Sequence, residues 1–416
     1  MTRLRLLLIS AVLPFPGTAG QQQRVRNKLL ALRERFEITF LTFAPAAQVA
    51  EVERQLRELC DHALVMESSY LRASGRRLLL RVAAGLYAAA CGLKTSNFLV
   101  GKVELSPARV LAAIEGRSFD LALFEYWHAH ACVPALRRLG IPSVLDMHDL
   151  LWRSFERQLA GGHQPEWLRR WRVGAYRRRE EASWQQFDAL ISINRNEDAH
   201  VRQRLPGKKV FYAPMGVDLR HFPCHPQPAQ PPRLAYYGGM ASPHNQRDAL
   251  FCARKVMPRI WKQRPDAELW LVGSHPPEEL RQLAAAEPRI HVTGFVPEVP
   301  PLLSTMTAVL CPWTGTYGFR SRLVEVMALG VPVVASQDAV SGMDLRSGEG
   351  LLLADGAKAM AAAALELLAA PQKALQLGRR GRLRMEELYS FEATYGRMTE
   401  EIAAWLITWL DVGATP

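Results

Sequence analysis

The chain of 416 residues contains no Cys-x-x-Cys pair, and its six cysteines (Cys60, Cys91, Cys132, Cys224, Cys252 and Cys311) lie far apart. That scatter excludes a disulfide framework or a zinc site of the usual spacing and predicts reduced, mostly buried thiols. Nor is there an uninterrupted apolar run of the roughly 18–20 residues that a spanning helix needs. The nearest, LLLRVAAGLYAAACGL from Leu78, is short and carries Arg81. No Gly-x-Gly-x-x-Gly follows the first strand-like run, which argues against a nicotinamide enzyme. An Asp-x-Asp triplet suited to a divalent ion is also missing, so no metal ligand set and no cofactor is predicted. Internal repeats are lacking, and Ala-rich DGAKAMAAAALELLAA reads simply as a helix.

Acidic residues are the other shortage. There are 40 of them against 52 lysines and arginines, a formal charge of +12, within an otherwise ordinary composition of 49% hydrophobic and 22% charged residues. Much of the excess falls between Trp152 and Arg204, centred on LRRWRVGAYRRREE. No nucleic-acid motif accompanies it. Trp167, Leu168 and Trp171 interleave with the arginines at helix-like spacing, which fits an anionic membrane surface. A solvated helix face with its tryptophans packed inward explains the same letters.

The N-terminus, LRLLLISAVLPFPGTAGQQQRVRNKLLAL, supports two opposed readings: a secretory signal with a small-residue cleavage site, or a strand, a glycine turn and a helix. The residues after the three glutamines favour the second. Val25, Leu29, Leu30 and Leu32 recur near helical spacing, and FEITFLTF forms another strand-length run, so losing the first twenty residues would break a βαβ unit. Further strand-like runs appear at Leu121–Tyr126, Ser143–Met147, Ala189–Ile193 and Val210–Tyr212, then at LAYYG, ELWLVG, IHVTG, AVLCP and VPVVAS. Between the two sets lies HFPCHPQPAQPPR, too rich in proline for a regular helix or central strand. Short apolar strands alternating with helices predict parallel sheets covered on both faces. The expected fold class is α/β, with two doubly wound, Rossmann-like domains facing a cleft at the carboxyl ends of their sheets. The expected boundaries are an N-terminal domain over 1–222, a proline-rich linker over 223–233, and a C-terminal domain over 234–389. A C-terminal helix over 390–416 is expected to pack back towards the first domain.

The most informative stretch is TGTYGFRSRLVEVMALGVPVVAS from Thr314. A strand ends, a glycine turn comes next, and a helix opens near Gly318–Phe319, where free N–H groups and the helix dipole suit a phosphate. Arg320 and Arg322 add cations within the first turn that oppose the dipole, and an anion nearby would explain them. Glu325 lies one to two turns further in, within reach of ligand hydroxyls, although an i,i+3 pair with Arg322 would also account for it.

This stretch is similar to the donor-site signature of retaining GT-B glycosyltransferases of the glycosyltransferase family 4 type, and it resembles most the form found in bacterial polysaccharide-type sugar transferases. Supporting resemblances run the length of the chain: PFPGTAGQQQRVR, LDMHD, FDALISIN, YAPMGVDLRHF, LAYYGGM, AELWLVGSHPP and IHVTGFVPEVPPLL, in the expected order. The resemblance implies a donor site in which Glu325 holds ribose hydroxyls and Gly318 and Phe319 offer amides to the diphosphate. Arg322 would neutralise the leaving nucleotide with help from Arg320, Gly239 would let the backbone approach the phosphates, and Phe295 and Val296 would contact the base. It places His148 beside the transferred sugar, and Gly17, Gly20 and Arg24 in an acceptor-side loop. Tyr317 stands where the family carries an acid, Met215 where it carries Asn, and Met240, His244 and Asn245 where many members carry Arg and Lys. His128 and His130 of EYWHAH are acceptor contacts or local packing residues.

The implied activity is transfer of a sugar from a nucleotide-sugar donor to a glycan, lipid-linked or small-molecule acceptor with retention of configuration, without nucleic acid, in the cytoplasm and peripherally on the inner membrane face. A catalytically idle sugar-nucleotide or glycan binder and, ranked last, a sugar-nucleotide epimerase are the alternatives.

Overall fold

The computed structural model describes residues 3–17, 19–72, 76–160, 164–315 and 318–413. The chain divides into two compact units, Met1–Pro214 together with Tyr395–Pro416, and Met215–Thr394.

In the first unit, seven strands form one sheet: β1 (Leu4–Ile9), β2 (Phe36–Ala44), β3 (His62–Glu67), β4 (Leu121–Glu125), β5 (Ser143–Asp146), β6 (Ala189–Ser192) and β7 (Lys209–Tyr212). Their order is β3-β2-β1-β4-β5-β6-β7, all parallel. The N-terminal run Leu4–Ile9 is therefore a central strand, paired with β2 on one side and β4 on the other, and Leu6, Leu7 and Leu8 are fully buried. Strands covered by helices on both faces cannot alternate polar and apolar residues, which is why Leu6–Ile9 of β1, Leu121–Phe124 of β4 and Ala189–Ile191 of β6 read as apolar runs. The C-terminal helix Arg397–Gly413 belongs to this unit: Glu400 pairs with Arg35 at 2.7 Å and Trp405 packs edge-on against Phe211.

The second unit holds six parallel strands: β8 (Arg233–Tyr237), β9 (Glu268–Val272), β10 (Ile290–Gly294), β11 (Ala308–Cys311), β12 (Val333–Ala335) and β13 (Leu351–Leu353), in the order β10-β9-β8-β11-β12-β13. One continuous core of aliphatic side chains, with Leu269, Leu271, Val309 and Leu310 fully buried, lies beneath its helices.

The unit boundary falls at Pro214, before the expected residue 222, because Met215–Phe222 is fastened to the second unit. Val217 N donates to Tyr389 O at 2.9 Å, and a Cβ on Gly216 would lie 1.9 Å from Thr394 Oγ1. The proline-rich 223–233 stretch is likewise no free linker. Gln227 N and Ala229 N donate to Ser304 O and Thr305 O, and Arg233 already opens β8.

Candidate functional site

In a doubly wound sheet the chain reverses its direction of strand addition once, and the loops leaving the carboxyl ends of the two strands at that point diverge to leave a crevice. In the second unit the reversal lies between β8 and β11. Past β8, Gly238 N donates to Val272 O at 2.9 Å and Met240 N to Ser274 O at 2.8 Å, which ties this loop to the one after β9. The two backbones touch so closely at Gly273 that a Cβ there would sit 2.0 Å from Gly238 O, so only glycine fits. Asn245 Nδ2 donates to Gly239 O at 2.7 Å and fixes the tip.

Gly239 faces the helix Ser321–Ala328. A Cβ on Gly239 would stand 3.5 Å from an Arg322 guanidinium nitrogen and 3.8 Å from Ser274 Oγ, close contact without a clash. The Arg322 guanidinium carbon lies 5.5 Å from the centre of the Tyr237 ring, and Tyr237 Oη donates to Glu325 Oε2 at 3.0 Å. Burial pushes the Glu325 carboxyl above its ordinary range, against the opposing pull of the Tyr237 hydroxyl and the Arg322 charge. The same surroundings raise the Tyr237 phenol, burial first and the Glu325 charge next. A small hollow of about 110 Å³, lined by Asn245, Trp313, Phe319 and residues 320–322, opens at this helix N-terminus. A larger one of about 780 Å³ is lined by Ser274, His275, Arg281 and the exposed Phe295.

Among the predicted donor-site residues the structure thus brings together Gly239, Arg322 and Glu325. Phe295 lines the adjoining hollow, while Val296 packs partly buried on the core. Arg320 stands at the helix start and lines the small hollow, and its guanidinium donates to Thr314 O at 2.9 Å and Gly315 O at 3.0 Å, holding the loop. The Phe319 ring packs 5.6 Å from Tyr389, and Gly318 takes the left-handed φ of 82°. Tyr317 lies outside the described residues.

In the first unit the reversal lies between β1 and β4, and it carries a buried charge network. Arg24, on the helix Gly20–Leu32 that comes after β1, is 1% exposed and makes a two-pronged contact with Asp146 at 2.9 Å on each arm, plus a bond to Ala213 O at 2.9 Å. One turn on, Lys28 Nζ sits 2.7 Å from Glu125 Oε1 and also pairs with Asp146. Arg24 is therefore an interior ion-pair residue of a helix, not part of an open loop; Gly20 opens that helix, and Gly17 lies in the preceding turn with φ of 83°. Burial would raise both carboxyls, but the cations prevail. Lys28 and His148 hold Glu125 below its ordinary range, and Arg24 and Lys28 hold Asp146 well below it.

His148 caps this network. Its Nε2 bonds Glu125 Oε2, its backbone N–H donates to Asp146 Oδ1 at 3.2 Å, and its ring stacks on Tyr126 with centroids 4.2 Å apart. Tyr126 Oη in turn donates to Gln21 Oε1 at 3.1 Å. Both Tyr126 (φ 65°) and His148 (φ 59°) adopt left-handed backbone that side chains disfavour, and the third such non-glycine residue described, His275 (φ 55°), comes after β9 in the second unit. Each stands just past the carboxyl end of a strand, where strain of this kind marks functional sites. By contrast His128 and His130 are packing residues: burial first, with Lys94 and His130 adding, pushes His128 down to about 4, and His130 bonds Gln186.

Glu125, Asp146 and His148 are close enough to hold a metal ion. Both carboxylates already face Lys28, and Asp146 also faces Arg24, so an incoming cation would meet two fixed positive charges. The donor set does not suit a divalent ion.

Residues 231–370 match the family described as "Glycosyl transferases group 1". No curated protein matches the chain in sequence. Among solved structures, sucrose-phosphate synthase from Thermosynechococcus elongatus superposes with a TM-score of 0.67 at 20% identity, over 99% of this chain and 100% of that one. Anabaena HepE in complex with UDP and glucose gives a TM-score of 0.61 at 15% identity, over 98% and 100%. An S. aureus TarM variant in complex with fondaparinux, alpha-GlcNAc-glycerol and UDP gives 0.63 at 12%, over 96% and 99%. The two parallel-sheet units have the GT-B fold, and the crevice of the second lies within residues 231–370, the stretch that matches the glycosyl transferases group 1 family.

Proposed function

We propose that the enzyme moves a sugar from a nucleotide-sugar donor to a hydroxyl of a glycan, lipid-linked or small-molecule acceptor, with retention of anomeric configuration. The observation that carries this reading is the convergence of Gly239, Arg322 and Glu325 at the strand reversal of the second unit. A glycine loop admits a diphosphate to backbone range, a guanidinium meets its charge, and a carboxylate three residues along the helix accepts ribose hydroxyls. The hollow from Ser274 to Phe295 takes the base. Because HepE and TarM are seen with UDP, a uridine diphosphate sugar is the first donor to test.

In the proposed reaction the acceptor oxygen bonds the anomeric carbon on the face from which the diphosphate departs. The sugar–phosphate bond breaks, its electron pair leaves with the phosphate, and the acceptor's proton passes to that phosphate oxygen. Arg322 stabilises the charge that develops there, so no carboxylate base and no divalent metal is assigned. His148, its ring fixed by Glu125 and stacked on Tyr126, is the candidate for orienting the transferred sugar. Tyr317, in place of an acid, is assigned the choice among sugars, since a phenol offers a hydrogen bond without charge near neutral pH. The test is a panel of nucleotide sugars screened by thermal shift, then NMR of the product's anomeric centre. Stabilisation by a nucleotide sugar and a retained anomer support the reading; an inverted anomer overturns retention, and binding with neither transfer nor hydrolysis favours an idle binder.

A further inference from the structure

The helix Arg76–Cys91 is apolar on two faces, and the fold covers only one of them. Ala84 points inward and is 1% exposed. On the opposite side Leu78, Val82 and Leu86, spaced i, i+4, i+8, are 67%, 54% and 67% exposed, and Leu79 beside them is 69% exposed. A helix with apolar residues all round is ordinarily buried all round. Its C-terminal end rests on the helix Glu166–Trp184, where a Cβ on Gly92 would lie 2.8 Å from Ala175 Cβ. That second helix exposes Trp167 (71%) and Trp171. Seven of the eleven large exposed apolar side chains described, counting Leu71, belong to these two helices and the turn before them.

The charge on the first helix and its flanking segments is of one sign, whereas Glu67 pairs with Arg72 at 3.0 Å and Glu166, beside Trp167, pairs with Arg170 at 2.8 Å. From Ser68 to Val103 the sequence has no Asp or Glu, while Arg72, Arg76, Arg77, Arg81, Lys94 and Lys102 are all cationic. Arg76, Arg77 and Arg81 are exposed on the helix itself, flanking the leucine strip. A second protein with a leucine-matching groove would need acidic rims; an anionic bilayer supplies both the apolar layer and the negative charge at once. The helix has 16 residues, about 24 Å at ~1.5 Å per residue, short of the ~30 Å hydrocarbon layer. Among the described residues no single helix is long and apolar enough to cross.

We propose that Arg76–Cys91 lies in the interface of an anionic membrane, with Leu78, Leu79, Val82 and Leu86 among the acyl chains, the arginines at the headgroups, and Trp167 and Trp171 seated beside them. The proposal stands independently of the glycosyl-transfer reading. The experiment is flotation of the full chain with phosphatidylcholine vesicles, with and without phosphatidylglycerol, at low and high salt. Binding should require phosphatidylglycerol and fall with salt, as screening shortens electrostatic reach. The double variant Leu78→Ser/Leu86→Ser should bind at least tenfold more weakly, while Leu78→Phe/Leu86→Phe retains binding. Arg77→Gln/Arg81→Gln should lose about fivefold per arginine. The changed side chains are exposed, so unfolding transitions should match the parent. Equal binding by the serine variant, no binding to either vesicle, or a parent dimer that the serine variant dissociates would overturn the proposal, the last by showing a second copy on this face.

Discussion

Both sheets reverse strand order once, and both place ionisable side chains at that reversal, yet they use charge in opposite ways. In the first unit Arg24, Lys28, Glu125 and Asp146 are buried and mutually neutralised, and what they present is the ring of His148. In the second unit Arg322 and Glu325 are only partly buried, and Arg322 faces a glycine loop instead of a carboxylate partner. A closed network contributes rigidity and position. An open one keeps charge available for a ligand. On the proposed function, the same fold position serves as scaffold in one unit and as binding site in the other, and mutations should separate the two roles.

The largest effect is expected from Asp146→Asn, which leaves Arg24 and Lys28 buried with half their counter-charge. Breaking a buried ion network from one side costs about 3–5 kcal/mol, read by denaturant unfolding. The matched change in the other unit, Arg322→Ala, should alter stability by less than about 0.5 kcal/mol. The pH dependence has its origin in the same network. The Asp146 and Glu125 carboxyls are depressed in the folded state, so their contribution is complete above the ordinary carboxylate range. It is lost as pH falls below that range towards the folded values. Asp146→Asn should therefore shift acid unfolding less steeply with pH than the parent. Equal stability of the two variants would end the scaffold-versus-site distinction.

Next in size is the catalytic effect of Arg322→Ala. An interaction that strengthens as the diphosphate leaves acts on the transition state, so kcat should fall about 100-fold. Glu325→Ala should show the converse pattern, a KM raised roughly tenfold with a smaller change in kcat, because ribose hydrogen bonds exist before and during reaction. Steady-state kinetics with a uridine diphosphate sugar read both. A pure KM effect in Arg322→Ala would reassign it to uniform binding.

Much of the fold was legible in the letters, and the exceptions have physical causes. The interior strands declared themselves as apolar runs because both their faces are covered. The two strands the sequence did not announce, β3 (HALVME) and β13 (LLL), are edge strands, one half-buried and polar at its start, the other only three residues long. At the site, Arg322, Glu325 and Gly239 were readable from short local motifs. Arg24 was named only as a loop residue, and its burial together with Lys28 was not readable, because their partners Glu125 and Asp146 lie about a hundred residues away and a charged residue on a helix is by default solvated. The one local signal was their i,i+4 spacing on the same face as Val25, Leu29 and Leu32. Tyr126 and His275 carry left-handed backbone that no residue pattern betrays, and Tyr237 is linked to Glu325 only through the sheet.

The smallest and most diagnostic change is Tyr237→Phe. It removes one hydroxyl that donates to Glu325 Oε2 at 3.0 Å and leaves the ring beneath Arg322 in place. Loss of a neutral hydrogen bond to a carboxylate should weaken donor binding only about three- to tenfold. Its signature lies in pH. The Glu325 carboxyl is already raised by burial, and the Tyr237 hydroxyl opposes that rise, so its removal lifts the folded value further. On the proposed function ribose hydroxyls need the ionised carboxylate as acceptor, so donor affinity should be present above the folded value and lost as pH falls through it. In Tyr237→Phe that loss should begin at higher pH than in the parent, while Glu325→Gln should show no such step. Titration of uridine diphosphate by calorimetry across pH distinguishes them. A pH profile identical in parent and Tyr237→Phe would mean that Glu325 is held by Arg322 alone, and that the second unit, like the first, has a charge pair closed within itself.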